Sequence, residues 1–195
     1  AIPRKQRAMI RKALKYDLKA RRDETGDAHF RLYSTSLRNL GTPTFPKKFF
    51  DALREGFGKD CDIVTISHDG IDLCSVLSFY HRGEVLPYFG GGVAQARDFA
   101  ANDFMYWSLM EHARARGFQS FDFGRSKVGT GAYAFKKNWG FEPKPLHYEY
   151  MLAEGHNIPD INPLNPKYQL MVAMWKKLPL SVANTLGPMI NRSLG

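Results

Sequence analysis

The sequence predicts an α/β (α+β) domain in which helices flank a mixed, mostly antiparallel sheet. Three observations carry this reading. Apolar residues recur at helical spacing over residues 27–40, 44–57 and 102–117. Between the second and third of these lie three strand-like runs, Cys61–Ser67, Ile71–His81 and Glu84–Phe89, divided by the turn signals His68-Asp-Gly70 and Arg82-Gly83. Finally, Phe118–Phe123 reads as a strand that feeds a glycine-rich basic loop, Gly124–Gly131, and then a short helix over Tyr133–Trp139 stopped at Gly140.

The elements follow in order. Residues 3–22 read as one basic helix with Ile10, Leu14 and Leu18 as a narrow apolar stripe. A second helix over 27–40 is broken by Gly41-Thr-Pro-Thr-Phe-Pro46, where Thr44 is a candidate N-cap. Phe49, Phe50, Leu53 and Phe57 give the third helix its apolar face. In the third strand, Pro87 cannot donate to a ladder, so a bulge or an edge is expected there. A fourth helix starts near Asn102 and ends at Gly117, and a last strand spans Leu146–Leu152. Residues 153–166 read as irregular, and 167–194 as an amphipathic tail helix interrupted at Pro179 and Pro188.

With 195 residues, one domain with a sizeable core is expected, and the 44% hydrophobic content excludes wholesale disorder. No apolar run reaches the roughly 18 residues of a membrane span, and the N-terminus lacks an apolar leader, so the chain reads as cytoplasmic. Cys61 and Cys74 are read as reduced core residues, and no Cys/His spacing points to a metal. The formal net charge is +9, and residues 4–22 alone carry nine Lys or Arg against Asp17. Such an excess fits a polyanionic partner, a basic face in solvent being the plainer reading.

The Gly124–Gly131 loop concentrates the chemistry. A strand running through a glycine-rich turn into a helix brings backbone N–H groups to an anion. Arg125 and Lys127 lie on this turn and Lys136 just beyond it, pointing to a phosphorylated or carboxylated ligand. A nucleotide P-loop is excluded, because Thr130 stands where the phosphate-binding Lys would be. Arg97 and Asn102 flank the start of the fourth helix, whose dipole also favours anions, although Asn102 serves equally as an N-cap.

Helices, an antiparallel three-strand meander, then helix–strand–helix–strand is the order of the GNAT acyltransferase fold, in which two central strands splay apart to admit the acyl donor. Within this order, Asp122-Phe-Gly-Arg-Ser-Lys127, Gly129-Thr-Gly131 and Tyr133-x-Phe135-Lys-Lys-x-Trp139-Gly-Phe-Glu-Pro143 resemble the FemAB family of peptidoglycan-bridge aminoacyltransferases. They are closer still to FemAB-like proteins of the PEP-CTERM/exosortase system. The likeness extends more loosely over residues 30–150, including Gly41-Thr-Pro43 and Asn102–Trp107, and to Trp175-Lys-Lys-Leu-Pro179 and Leu186-Gly-Pro188 in the tail.

The resemblance implies an enzyme of two GNAT-like halves that moves an amino acid from aminoacyl-tRNA onto the peptide of a cell-wall precursor. Residues 1–22 would then be the connector to a preceding half, 23–153 the second GNAT-like half and 154–195 a tail. It also implies that Phe135 and Lys136 lie at the active site, with Lys136 stabilising charge on the reacting acyl group. No tightly bound cofactor is expected. The donor is aminoacyl-tRNA or an acyl-CoA, and the first is favoured because the pyrophosphate loop of coenzyme-A-dependent relatives is not matched at Gly90-Gly-Gly92 or Arg97.

For the remaining residues the bland and the functional readings stand together. Asp122 is a general base or a carboxylate pinning Arg125 or the loop amides. Tyr133 is a proton donor or a core aromatic. Arg125, Ser126 and Lys127, with Gly129, Thr130 and Gly131, bind substrate or merely shape the turn. As a whole the chain reads as an amide-forming acyl or aminoacyl transferase. The alternatives are a non-catalytic module that holds RNA or a nucleotide-linked saccharide, and a conventional acyl-CoA N-acetyltransferase. A deep cleft lined by Lys136, Arg125 and Gly90–Gly92 favours the enzyme, and a loop collapsed onto its own acids favours the module.

Overall fold

The computed structural model describes residues 2–156 and 166–192. Its element order is α1 (Arg4–Ala13), β1 (Lys19–Arg22), α2 (Asp27–Leu40), α3 (Lys47–Phe57), β2 (Cys61–His68), β3 (Ile71–His81), β4 (Glu84–Gly92), α4 (Ala101–Ala115), β5 (Ser120–Phe121), α5 (Gly131–Asn138), α6 (Pro166–Trp175) and α7 (Leu180–Asn191). The five strands form one curled sheet in sequence order, antiparallel from β1 to β4 and parallel between β4 and β5.

The meander follows from its turns. Asp69 and Gly70, then Arg82 and Gly83, all take positive φ, the geometry that two-residue hairpins need to match strand twist. In β4, Leu77 faces Phe89 while Ser78 faces Pro87, which leaves Tyr88 as an extra residue. The bulge expected at Pro87 is therefore present. Cys61 and Cys74 lie in neighbouring strands but face Phe79 and Ile66, and both are free and buried.

One sheet face carries α4, with Leu109, Met105 and Ala113 packed on Val76, Ile66 and Val85. The other carries α2 and α3, where Tyr33 and Phe50 meet Ile63 and Leu77. The seat under α2 is tight at Gly91, where a Cβ would lie 2.6 Å from Tyr33 Cα, and β4 sits equally close to β3 at Gly92, where a Cβ would lie 2.7 Å from Cys74 Cβ. These glycines thus serve close approach of backbones.

Five expectations change. The helix read over 3–22 ends at Ala13, and Lys19–Arg22 joins the sheet edge opposite Val64–Ser67. Leu14 is exposed while Ile10 and Leu18 are buried, so the four-residue stripe does not share one face. The unpaired backbone edge of β2 outweighs helix propensity here, aided by Arg21 on Asp72 at 2.9 Å and Arg22 on Asp62 at 3.5 Å. The strand read over Phe118–Phe123 pairs only at Ser120–Phe121, because β4 turns away after Val85. Leu146–Leu152 forms no strand; Leu146, Tyr148 and Tyr150 are exposed. Thr44 does not cap α3; its buried Oγ1 donates to Phe45 O, and Pro46 occupies the N-cap position. The tail breaks before Leu180, whereas Pro188 lies inside α7. Much of the irregular segment expected at 153–166 lies outside the described residues.

Candidate acyl-transfer site

The site is set by the parting of β4 and β5. They pair at Glu84–Ser120 and Val85–Phe121, and the last bond between them runs from Asp122 N–H to Val85 O at 3.0 Å. Beyond it, β4 stays with β3 to Gly92, while the other chain leaves through Gly124 at φ 64°. Tyr106 of α4 fills the floor of this wedge. Its ring meets Phe123 at 5.0 Å and Phe135 at 5.4 Å, and a Cβ built on Gly90 would lie 3.5 Å from its hydroxyl. Burial pushes the Tyr106 phenol up to about 12, with the nearby Cys74 as a lesser cause, so at neutral pH it is an O–H donor.

The Gly124–Gly131 loop forms one bank. Asp122 is exposed, and its Oδ1 accepts the Gly124 N–H at 2.7 Å. Of its two readings the structure displays the pinning of a loop amide. Lys136 Nζ donates to Gly124 O at 3.1 Å and to Arg125 O at 3.0 Å, which leaves a third N–H of the ammonium. Partial burial lowers the Lys136 pKa below the ordinary lysine value, and Asp122 opposes that shift. Arg125 is exposed, and its guanidinium is held by the Tyr148 hydroxyl, which keeps its proton on more firmly.

Thr130 caps α5. Its Oγ1 accepts the Tyr133 N–H at 3.3 Å and donates to Lys127 O at 2.7 Å. Gly129 takes φ 82°, but Gly131 does not take positive φ and needs no glycine for that reason. Ser126 Oγ is buried without a hydrogen-bond partner among the described residues. Tyr133 is half-buried. Phe135 turns inward onto Trp139, while Lys136, next along the helix, curls under the loop.

Lys136, Asp122, Tyr133, Arg125, Ser126, Lys127, Gly129, Thr130, Gly131 and Phe135 thus share one loop–helix unit. Arg97 is exposed at the end of a 3-10 turn (Ala94–Arg97), and Asn102 lies inside α4, one turn before Tyr106. Asn102 is not the N-cap; that position is Ala100 at φ 53°. Along the approach to α4 the N–H groups of Val93, Ala96, Asp98 and Ala100 already bond the Leu73, Val93, Gln95 and Arg97 carbonyls, so an anion there would depend on the first N–H groups of α4 itself. Tyr106 escaped the sequence reading. Its signal was the Phe104-x-Tyr106-Trp107 cluster, too crowded for one helical face.

Neither extreme of the cleft test is met. Two concavities, about 160 Å³ beside Arg22, Arg54 and Asp62 and about 410 Å³ beside Met110, Phe118 and Phe121, are not lined by Lys136, Arg125 or Gly90–Gly92. The loop meets an acid at Asp122, which holds the Gly124 N–H, while Lys136 takes the Gly124 and Arg125 carbonyls. Among the described residues, no group of three His, Cys, Asp or Glu is placed to hold a metal, and no helix is long and apolar enough to cross a membrane.

Residues 4–137 match the family model described as an acetyltransferase (GNAT) domain. The chain belongs to this GNAT family. It is 28% identical over 113 residues to the Lipid II:glycine glycyltransferase of Staphylococcus aureus, covering 53% of this chain and 27% of the relative. The solved structure of FemX superposes with a TM-score of 0.66 at 17% identity, over 71% of this chain and 54% of that one. Aminoglycoside N-acetyltransferase AAC(6')-Iy in complex with CoA gives 0.54 at 14% identity, over 69% and 94%. The chain therefore spans about a quarter of the curated relatives' length (27%). The match to the Lipid II:glycine glycyltransferase agrees with the FemAB resemblance, and the superpositions on FemX and AAC(6')-Iy show a shared fold.

Proposed function

We propose that this chain is the donor-handling half of an N-acyltransferase that forms an amide bond from an aminoacyl ester. The carrying observation is the parting of β4 and β5, with the Tyr106 O–H on its floor and the Lys136–Arg125 loop on one bank. The amine nitrogen of the acceptor attacks the ester carbonyl. The C–O bond to the ribose then breaks, and the amine's proton passes to the leaving oxygen. Charge gathers on the carbonyl oxygen between these events, where the Tyr106 hydroxyl and the third N–H of Lys136 supply donors in a partly dry site. Phe135 fixes the direction of Lys136 by packing inward. Asp122 holds the Gly124 amide, and Thr130, Gly129 and Gly131 shape the turn that presents Arg125 and Lys127 to a phosphate or carboxylate, with the buried Ser126 hydroxyl between them.

The acceptor we propose is an amine on a cell-envelope precursor, by kinship with the Lipid II glycyltransferase. The donor is aminoacyl-tRNA, whose backbone the +9 chain attracts. Residues 1–22 connect to a preceding GNAT-like half, 154–195 form a tail, and the work is done in the cytoplasm. The motif matches in the loop and tail favour the exosortase-linked subgroup. A second reading, an acyl-CoA N-acetyltransferase, draws on the CoA-bound neighbour. The consumed N–H groups between Val93 and Ala100 weigh against it, since pyrophosphate needs several convergent donors.

Transfer assays on the full-length protein with charged tRNA and with acyl-CoA, beside calorimetry of this chain with acetyl-CoA, test the reading. We expect transfer from the charged tRNA, with no saturable acetyl-CoA signal. Micromolar acetyl-CoA binding would establish the second reading. Binding of either donor without transfer would make the chain a holding module.

A further inference from the structure

We propose that the outer face of α6 and α7 docks on an anionic bilayer surface. The inner faces of these helices are already engaged. A Cβ on Gly187 would lie 2.9 Å from Thr44 N, Ala183 is buried, Asn191 Nδ2 donates to Pro43 O at 3.3 Å, and Arg38 donates to Lys176 O at 3.3 Å. The folded domain thus holds the pair without using their outer side chains. Those side chains are apolar and exposed: Leu170 is 70% exposed, Met171 64%, Met174 63% and Met189 64%, with Val182, Leu186 and Ile190 beside them. On α7 the spacing 182, 186, 189, 190 places them on one helical stripe.

Charge selects the occupant. Residues 166–192 contain four Lys or Arg and no Asp or Glu. Lys176 and Lys177 stand exposed at the break between the helices, and Arg192 at the far end. An apolar stripe rimmed only by cations fits acyl chains below anionic headgroups. A second copy fits less well, because two such faces would bring cations together with no carboxylate from either helix to pair them. With 10 and 12 residues, α6 and α7 are too short to span a hydrocarbon core of about 30 Å, so they lie along the surface. This inference does not depend on the transfer chemistry.

The test is co-sedimentation of the 195-residue chain with vesicles of phosphatidylcholine alone or with about 30% phosphatidylglycerol. Binding should be at least about tenfold tighter to the anionic vesicles and weaken in about 0.5 M salt. The triple variant Met171→Ser/Met174→Ser/Met189→Ser should lose about tenfold or more at low salt. Lys176→Gln/Lys177→Gln should lose roughly 10- to 30-fold. Unchanged melting curves show that these surface variants fold. No binding to anionic vesicles overturns the proposal. So does binding that survives the triple variant but is abolished by neutralising the α1 cations, and so does a dimer that the triple variant dissolves without any vesicle binding.

Discussion

His29 places an acid-sensitive joint between α2 and the sheet. Its side chain is fully buried, stacked on Tyr33 at 5.6 Å and edge-on to Phe50 at 5.4 Å, with Nδ1 2.8 Å from Ser75 Oγ. Burial pushes its pKa down to about 4; Asp23 opposes the shift and Arg54 adds to it. The unfolded chain takes up this proton near pH 6.5 and the folded chain only near pH 4, so protonation favours unfolding. Stability on this account is whole above pH 6.5 and falls as pH drops toward 4. With those two values, His29 alone removes about 2 kcal/mol between about pH 7 and pH 5. For a chain of this size that is a fall in Tm of roughly 4–8 °C. Asp103 acts in the opposite sense, since burial raises its carboxyl and folding there is favoured by protonation. Melting followed by circular dichroism, compared between the native chain and His29→Gln, cancels Asp103 and the exposed groups. The variant's melting temperature should fall less over that pH range. Equal slopes in the two proteins would refute the reasoning.

Two further outcomes are expected. Lys136→Ala in the full-length protein should lower turnover by about 100-fold or more, the scale of one lost charge-stabilising donor, with melting almost unchanged because the group is only half-buried; turnover near that of the native enzyme would remove Lys136 from the chemistry. Gly91→Ala should cost about 1–3 kcal/mol in denaturant unfolding, since its Cβ would meet backbone and not a flexible side-chain tip; an unchanged midpoint would show that α2 slides freely on β4.

Much of the fold was written locally. The hairpins at Asp69-Gly70 and Arg82-Gly83, the alternation of β2 and β3, the bulge forced by Pro87, and the cap and glycines that end α2 and begin α5 each depend on a few neighbouring residues. The loop–helix unit from Asp122 to Lys136 was legible for the same reason: strand, glycine turn and helix are contiguous, and the residue types state their chemistry. Other features were decided by partners distant in the chain. Lys19–Arg22 became a strand because β2 offered an open edge and Asp62 and Asp72 offered carboxylates. Phe118–Phe123 kept only a two-residue ladder because β4 diverges from it. Tyr106 gained its place in the wedge only when α4 crossed both strands, and Lys136 found two loop carbonyls only when α5 folded back beneath Gly124. Periodicity and turn chemistry act within a few residues and can be read along the chain. Edge pairing, burial and the aim of a long side chain are set by which surfaces meet, and tertiary packing alone supplies that.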